Sequence, residues 1–320
     1  MHVLVTGASG FVGGRVVGAL SHRPGITVTA ATRTPGASLA CADGLLVASS
    51  LEQLALQLGS HLKIDVIVHA AARVHVMDDQ EANPLEAFRQ VNVQGTLALA
   101  HAAAAAGVKR FVFISSIKVN GEGTLPGKSY QADDEPNPCD PYGISKAEAE
   151  VQLMAMGEQT GLEIVVIRPV LVYGPGVKAN FLSMMRYTAK GIVLPFGAIN
   201  NRRSLVALDN LVGLIATCLD HPNAVNQRFL VSDGDDLSTT QLLKKVAVAL
   251  NRPSRLIPVP AALLVFVARL MGKQAISQRL CGSLTVDISK NYQLLGWVPP
   301  LSVNEALAVT AKHFKETYGQ

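Results

Sequence analysis

The stretch Val3-Leu4-Val5-Thr6-Gly7-Ala8-Ser9-Gly10-Phe11-Val12-Gly13-Gly14-Arg15 decides the fold. Val3 to Val5 is an apolar run that reads as a short buried strand. The pattern breaks at Gly7 and resumes as an apolar-periodic helix through Val12, Val16, Val17 and Leu20. Strand, glycine turn and helix is the setting in which a glycine motif carries information. The turn needs a residue that tolerates positive φ. Without a Cβ, glycine also lets the backbone approach a diphosphate and lets the helix pack closely on the strand. The helix N-terminus then aims N–H groups and a partial positive charge at the phosphates. The spacing is Gly7-x-x-Gly10-x-x-Gly13 rather than G-x-G-x-x-G, and the alternative is a plain strand–helix turn without a ligand.

The rest of the chain alternates in the same way. Ile26 to Thr32, Leu45 to Ala48, Ile64 to Ala70, Arg110 to Ile114 and Glu163 to Ile167 read as further strands. Helical patterns lie between them: Leu51, Leu54 and Leu58, then a long helix from Pro84 to about Ala106 stopped by Gly107. Asp140-Pro141 opens another that reaches Gly161. Nearly continuous apolar strands alternating with helices define an α/β chain: a Rossmann-type doubly wound parallel sheet covered on both faces. Ligands of such sheets lie beyond the carboxyl ends of the strands. Past Gly174 the regularity fades. Residues 1–174 are expected to form the dinucleotide-binding domain and 175–320 a smaller C-terminal substrate-binding lobe, interwoven without a clean linker.

Composition sets the limits. With 320 residues, 49% hydrophobic and 16% charged, the chain is globular and rather apolar. A net charge of +4 without a basic run gives no support for nucleic-acid binding. Cys41, Cys139, Cys218 and Cys281 are far apart, as reduced thiols are, and form no metal or disulfide pattern. No charged n-region precedes the first strand, so no signal peptide and a cytoplasmic location are expected. The apolar segment Pro258 to Met271 is shorter than the ~20 residues of a membrane span. It reads as a buried or interfacial helix, with peripheral membrane contact as the lesser alternative.

The chemistry should sit where the fifth strand ends, at Phe113-Ile114-Ser115-Ser116. Downstream, Tyr142 and Lys146 stand one helical turn apart on one face. A phenol is a poor acid–base near neutrality, with a reference pKa of about 10. A nearby ammonium and an oxidised nicotinamide stabilise the phenolate and make it usable. A serine hydroxyl can hold the substrate oxygen. The bland alternatives are a turn serine and a surface Tyr–Lys pair.

These residues resemble the extended short-chain dehydrogenase/reductase superfamily, and within it the NAD(P)-dependent epimerase/dehydratase family. The resemblance covers nearly the whole chain. It rests on Thr6-Gly7-x-x-Gly10-Phe11-x-Gly13, His69-Ala70-Ala71, Asn92, Ser115-Ser116, Pro141-Tyr142-Gly143-x-Ser145-Lys146 and Arg168-Pro169. It implies that Tyr142 exchanges the proton, Ser116 is the catalytic serine and Lys146 bonds the nicotinamide ribose. Asn92 is implied to support that lysine, often through water. The implied dinucleotide contacts are Gly7, Ser9, Gly10, Phe11, Val12 and Gly13 on the first turn, with Arg33, Ala70, Ala71, Tyr142, Lys146 and Pro169. Ser115, Ser116 and Lys118 are expected to face the substrate. Asn180, leading a helix, and Arg203 are implied to meet a nucleotide diphosphate, with Arg279 as a second phosphate arginine. Where the family reads V-Y-G, this chain has Val119-Asn120-Gly121, a change that bears on the sugar contacts.

The second strand ends Thr32-Arg33 with no carboxylate to bond an adenosine 2′-hydroxyl. NADP(H) is therefore expected to be accepted or preferred, with NAD(H) still allowed. That feature and the segments around Ser116 and Arg203 resemble enzymes that reduce C4 of a UDP-linked 4-keto-6-deoxy-N-acetylhexosamine for surface polysaccharides. The alternative is a UDP-hexose or UDP-N-acetylhexosamine 4-epimerase using the same residues. A hydroxysteroid or flavonol-type dehydrogenase is a third reading, and a non-catalytic nucleotide-binding protein a fourth. The superfamily resemblance also implies a homodimer, built on the helices at 84–106 and 141–161.

Overall fold

Alternation inside the first strand, β1 (His2–Thr6), sets the layering. Val3 and Val5 join one core cluster and Leu4 the other, and all three are fully buried. Successive strand side chains point to opposite faces, so a strand apolar at every position is covered on both. The computed structural model describes residues 1–34, 39, 41–59, 63–74, 83–272 and 274–319.

The remaining sheet strands are β2 (Thr27–Thr32), β3 (Gly44–Val47), β4 (Val66–His69), β5 (Arg110–Ile114) and β6 (Glu163–Pro169). A short pair, β7 (Leu171–Tyr173) and β8 (Leu205–Ala207), stands apart, and β9 (Gln227–Val231) completes the main sheet. Its order is β3-β2-β1-β4-β5-β6-β9, with neighbours parallel. The order reverses between β1 and β4, which is where a doubly wound sheet opens its ligand crevice. The sheet takes β9 from beyond residue 174, so the two lobes share chain rather than meeting at a linker.

α1 (Phe11–Leu20) covers one face with α7 (Leu208–Cys218); α2 (Leu51–Gln57) and α5 (Pro141–Thr160) cover the other. Asp140 caps α5, its Oδ1 accepting the Gly143 N–H at 2.7 Å, and Gly161 closes it at φ 78°. The helix expected from Pro84 to Ala106 is divided into α3 (Pro84–Arg89), a π turn (Gln90–Gly95) and α4 (Thr96–Ala105). Such turns admit one extra residue and recur at functional sites. This one carries Asn92. Gly95 permits close packing there, because a Cβ would lie 3.1 Å from Leu51 Cδ1 on α2.

The smaller lobe has its own core, in which Tyr173, Phe181, Met185, Leu205, Val246, Leu307 and Phe314 meet. It contains α6 (Ala179–Ala189), α8 (Thr239–Ala249), α9 (Ala261–Leu270), α10 (Gln274–Cys281), α11 (Ser289–Leu295) and α12 (Val303–Tyr318). Among the described residues no helix is long and apolar enough to cross a membrane.

Candidate active site

The glycine turn after β1 is a cradle that side chains would fill. Gly7 has φ 63°, and a Cβ on it would lie 2.7 Å from the Ala71 nitrogen and 2.8 Å from the Ala70 carbonyl carbon. A Cβ on Gly13 would lie 2.2 Å from the Gly7 oxygen. The Gly10 N–H donates to that same oxygen at 2.8 Å. No side chain caps α1 and its first turn holds no carboxylate. Open N–H groups at a glycine-lined helix start suit a diphosphate, so the residues fit a dinucleotide. Phe11 and Val12 turn their side chains into the protein, Phe11 against the lobe core and Val12 against the main core. What they can offer phosphate is backbone N–H.

Buried hydrogen bonds fix this turn against β4. The His69 ring lies between the Thr6 hydroxyl at 2.7 Å and the Thr96 hydroxyl at 3.0 Å. Burial, with the nearby Lys146 charge, pulls its pKa down to about 3, so the ring is neutral at physiological pH. Thr6 also accepts the Ala71 N–H at 3.2 Å, holding the Ala70-Ala71 backbone beside Gly7. At the end of β2 the Thr32 hydroxyl donates to Ser9 Oγ at 3.1 Å, and Arg33 follows, exposed. Pro169 closes β6, buried in register with Val231 of β9.

β5 and the start of α5 supply the reactive groups. The Tyr142 phenol lies beside Ser116, whose hydroxyl favours the phenolate. Burial pushes the phenol up to about 12, against the pull of that hydroxyl, and the Asp140 charge adds to the rise. Lys146 is 1% exposed, with Nζ donating to the Ile114 carbonyl at 2.9 Å and lying 4.3 Å from the centre of the Phe113 ring. Burial lowers it to about 7, and Glu150 one turn further along α5 works in the opposite direction. A protonated phenol, a partnered hydroxyl and a lysine balanced near neutrality are parts for moving one proton at a substrate oxygen.

Buried bonds redirect two expected substrate contacts and place two further polar residues. Ser115 donates its hydroxyl to the Glu150 carboxylate inside the protein, because adjacent extended residues face opposite ways, so it is not a substrate contact. Lys118 pairs with Asp140, tying the loop after β5 to the α5 cap, and reaches Glu122 at 3.5 Å. Asn92, expected to support Lys146, makes no direct bond to it and bonds the residue beside it instead. Its amide donates to the Arg73 carbonyl at 3.0 Å and to Ser145 Oγ at 3.0 Å, and its oxygen accepts the Arg73 N–H at 2.8 Å. It therefore pins the chain after β4 to the residue before the lysine. Asn120, the departure from the family pattern, is 2% exposed and bonds Arg168 and the Gln131 carbonyl rather than facing the crevice.

A buried ion pair passed unnoticed in the sequence. Arg168 and Glu150, each with a side chain 1% exposed, meet in a two-pronged contact, Nη2 to Oε2 at 2.5 Å and Nε to Oε1 at 2.9 Å. The signal was present: Glu150 follows Lys146 at helical spacing, and Arg168 ends a strand that is otherwise apolar beyond Glu163.

In the lobe, Arg203 donates to the Gly282 carbonyl at 3.1 Å. Burial and the Arg279 charge both lower its pKa, so these two guanidiniums lie within electrostatic reach of each other. Among the described residues neither has a carboxylate partner, which suits a diphosphate. Asn180 is exposed as the second residue of α6; the cap position is Lys178, and no side chain caps that helix.

A glycine cradle at the sheet's switch point, beside a Ser–Tyr–Lys set, is the construction of a nicotinamide-dependent enzyme of the short-chain dehydrogenase/reductase type. Residues 3–232 match the NAD dependent epimerase/dehydratase family, and the chain belongs to it. It is 49% identical over 314 residues to a UDP-glucose 4-epimerase of Vibrio cholerae, covering 98% of this chain and 95% of that one. The fold superimposes on the UDP-glucose 4-epimerase of Thermotoga maritima, solved with UDP-glucose, at a TM-score of 0.79 and 24% identity, covering 99% and 100% of the two chains. It also superimposes on the UDP-glucuronic acid 4-epimerase of Bacillus cereus, solved with NAD, at 0.78 and 21%, covering 100% and 98%.

Proposed function

We propose that the protein is a nucleotide-sugar 4-epimerase acting on a UDP-hexose or UDP-N-acetylhexosamine. The 49% identity to the Vibrio cholerae UDP-glucose 4-epimerase along 98% of the chain carries this reading. It displaces the net C4 ketoreductase that the sequence segments first suggested. The glycine cradle, Tyr142 and Lys146 would hold a nicotinamide dinucleotide, which would supply reversible hydride exchange at C4. Ser116 holds the C4 oxygen. Tyr142 accepts the hydroxyl proton and gives it back to the same oxygen. Lys146 contributes the charge that makes the phenolate accessible. Arg203, Arg279 and the open N-terminus of α6 beside Asn180 bind the diphosphate. With Lys118 paired to Asp140, that loop presents no free acid–base pair for removing water from the sugar.

Purified protein incubated with UDP-glucose or UDP-N-acetylglucosamine, without added cofactor, is expected to form the galacto isomer. No isomer, together with steady consumption of reduced cofactor on a UDP-4-keto sugar, would establish the reductase instead. One observation favours that second reading: the exposed Arg33 ends β2 where a carboxylate would select NAD. A guanidinium there suits a 2′-phosphate. Arg33→Ala is expected to cut the preference for NADP(H) over NAD(H) by about tenfold, the loss of one charge-assisted contact. Binding constants for both cofactors read it directly, and an unchanged ratio removes Arg33 from cofactor selection.

A further inference from the structure

α9 is an element of the lobe that the proposed chemistry does not use. Its sequence, Ala261-Ala262-Leu263-Leu264-Val265-Phe266-Val267-Ala268-Arg269-Leu270, has a single charged residue, yet none of the ten is buried. Leu263 is 51% exposed, Phe266 59%, Leu270 73% and the following Met271 60%. Only Ala261, Leu264 and Ala268 are half-buried, a narrow stripe at helical spacing on a helix that packs against α10. A helix of a water-soluble surface turns its broad apolar face inward. Here that face is outward, and contiguous exposed apolar surface marks a docking site.

The surrounding charge says what docks. The chain has no long basic run, but between Asp236 and Asp287 it has seven Lys and Arg and no Asp or Glu. The rest of the chain carries a net −3. Arg252 and Arg255 lead into α9 and Arg269 ends it, all three exposed. An apolar helix face flanked by cations, too short to span a bilayer, is the pattern of a helix lying in the lipid headgroup region. Anionic lipid attracts such a segment. A second copy of the chain is a poor occupant, because a two-fold contact sets the same patch against itself and so opposes basic segment to basic segment.

We infer that α9 and its basic flanks dock the substrate lobe on an anionic membrane surface. α10, packed on α9, carries Arg279, so docking sets the diphosphate-binding arginines within one helix of the lipid. The measurement needs no substrate and stands or falls apart from the epimerase reading.

The test is flotation of the full chain with vesicles. On phosphatidylcholine containing about one third phosphatidylglycerol, at ~0.1 M salt, the protein is expected to float with the lipid. Pure phosphatidylcholine, or salt raised to ~0.5 M, should weaken binding about tenfold, as screening and lost surface charge require. Phe266→Ser combined with Leu270→Ser should abolish at least nine tenths of the binding while circular dichroism and sugar-nucleotide turnover stay unchanged. Arg252→Glu with Arg269→Glu should weaken binding to the anionic vesicles and leave any residual binding to neutral ones. Wild-type protein that fails to float with anionic vesicles overturns the inference, as does a serine variant that floats as well as wild type. So does a dimer in light scattering that Phe266→Ser dissociates while lipid binding is absent, because the face then belongs to a second copy.

Discussion

Tyr142→Phe is expected to lower kcat by about 10²–10⁴, the contribution of a positioned general acid–base, while dinucleotide binding changes little. The substitution removes one oxygen and leaves the ring, whose edge meets Phe88 at a centroid distance of 6.1 Å. Nothing in the packing depends on the hydroxyl, which lies beside Ser116. The loss therefore falls on proton transfer rather than on folding or binding. In the unliganded site the phenol lies at about 12, so it holds its proton at neutral pH. It becomes a base only when positive charge gathers around it, and the proposed mechanism assigns that charge to Lys146, one turn along α5. Full turnover by the phenylalanine variant would remove Tyr142 from the chemistry. Lost cofactor binding would make its role structural instead. Cofactor titration and steady-state kinetics on the same preparation separate these results.

What could be read from the sequence was local. The strand, turn and helix at residues 2–20 are specified by neighbours: an apolar run, three glycines at fixed offsets, then an apolar stripe. The Ser116 and Tyr142 signals sit in the same kind of short motif. The π turn was hidden because Gln90-Val91-Asn92-Val93-Gln94-Gly95 carries no breaker before its final glycine, and packing of Gly95 on α2 shapes it. β9 was missed for a different reason. It joins the sheet beside β6 after a long excursion through the lobe, and pairing at such separation leaves little mark on local pattern. The substrate contacts expected of Ser115 and Lys118 are not seen because each polar group found its partner on a distant segment, Glu150 and Asp140, as Asn120 found Arg168. A motif shows that a side chain belongs near a site; which way it turns depends on what the tertiary fold brings alongside.

The Glu150–Arg168 pair is where that difference has its largest energetic consequence. Glu150→Gln keeps the shape and leaves the Arg168 guanidinium buried without a counter-charge. Breaking a buried pair in this way costs about 3–5 kcal/mol, a large part of a net stability of about 5–15 kcal/mol. A drop in Tm on the order of 5–10 °C is expected. Replacing both residues with methionine should recover part of the loss, since apolar groups of similar volume often equal a buried pair. The recovery is partial because Ser115, Asn120 and the Ala132 carbonyl lose their bonds as well. Stability alone does not describe Glu150. Its charge raises Lys146 against the burial that brings the amine down to about 7. Glutamine removes that support, so the ammonium is lost at lower pH than in wild type. The alkaline limb of kcat/KM should therefore move to lower pH in Glu150→Gln, measured below its melting transition. A carboxylate that served packing alone would leave that limb where it was, so the pH profile distinguishes a positioning role in catalysis from a purely structural one.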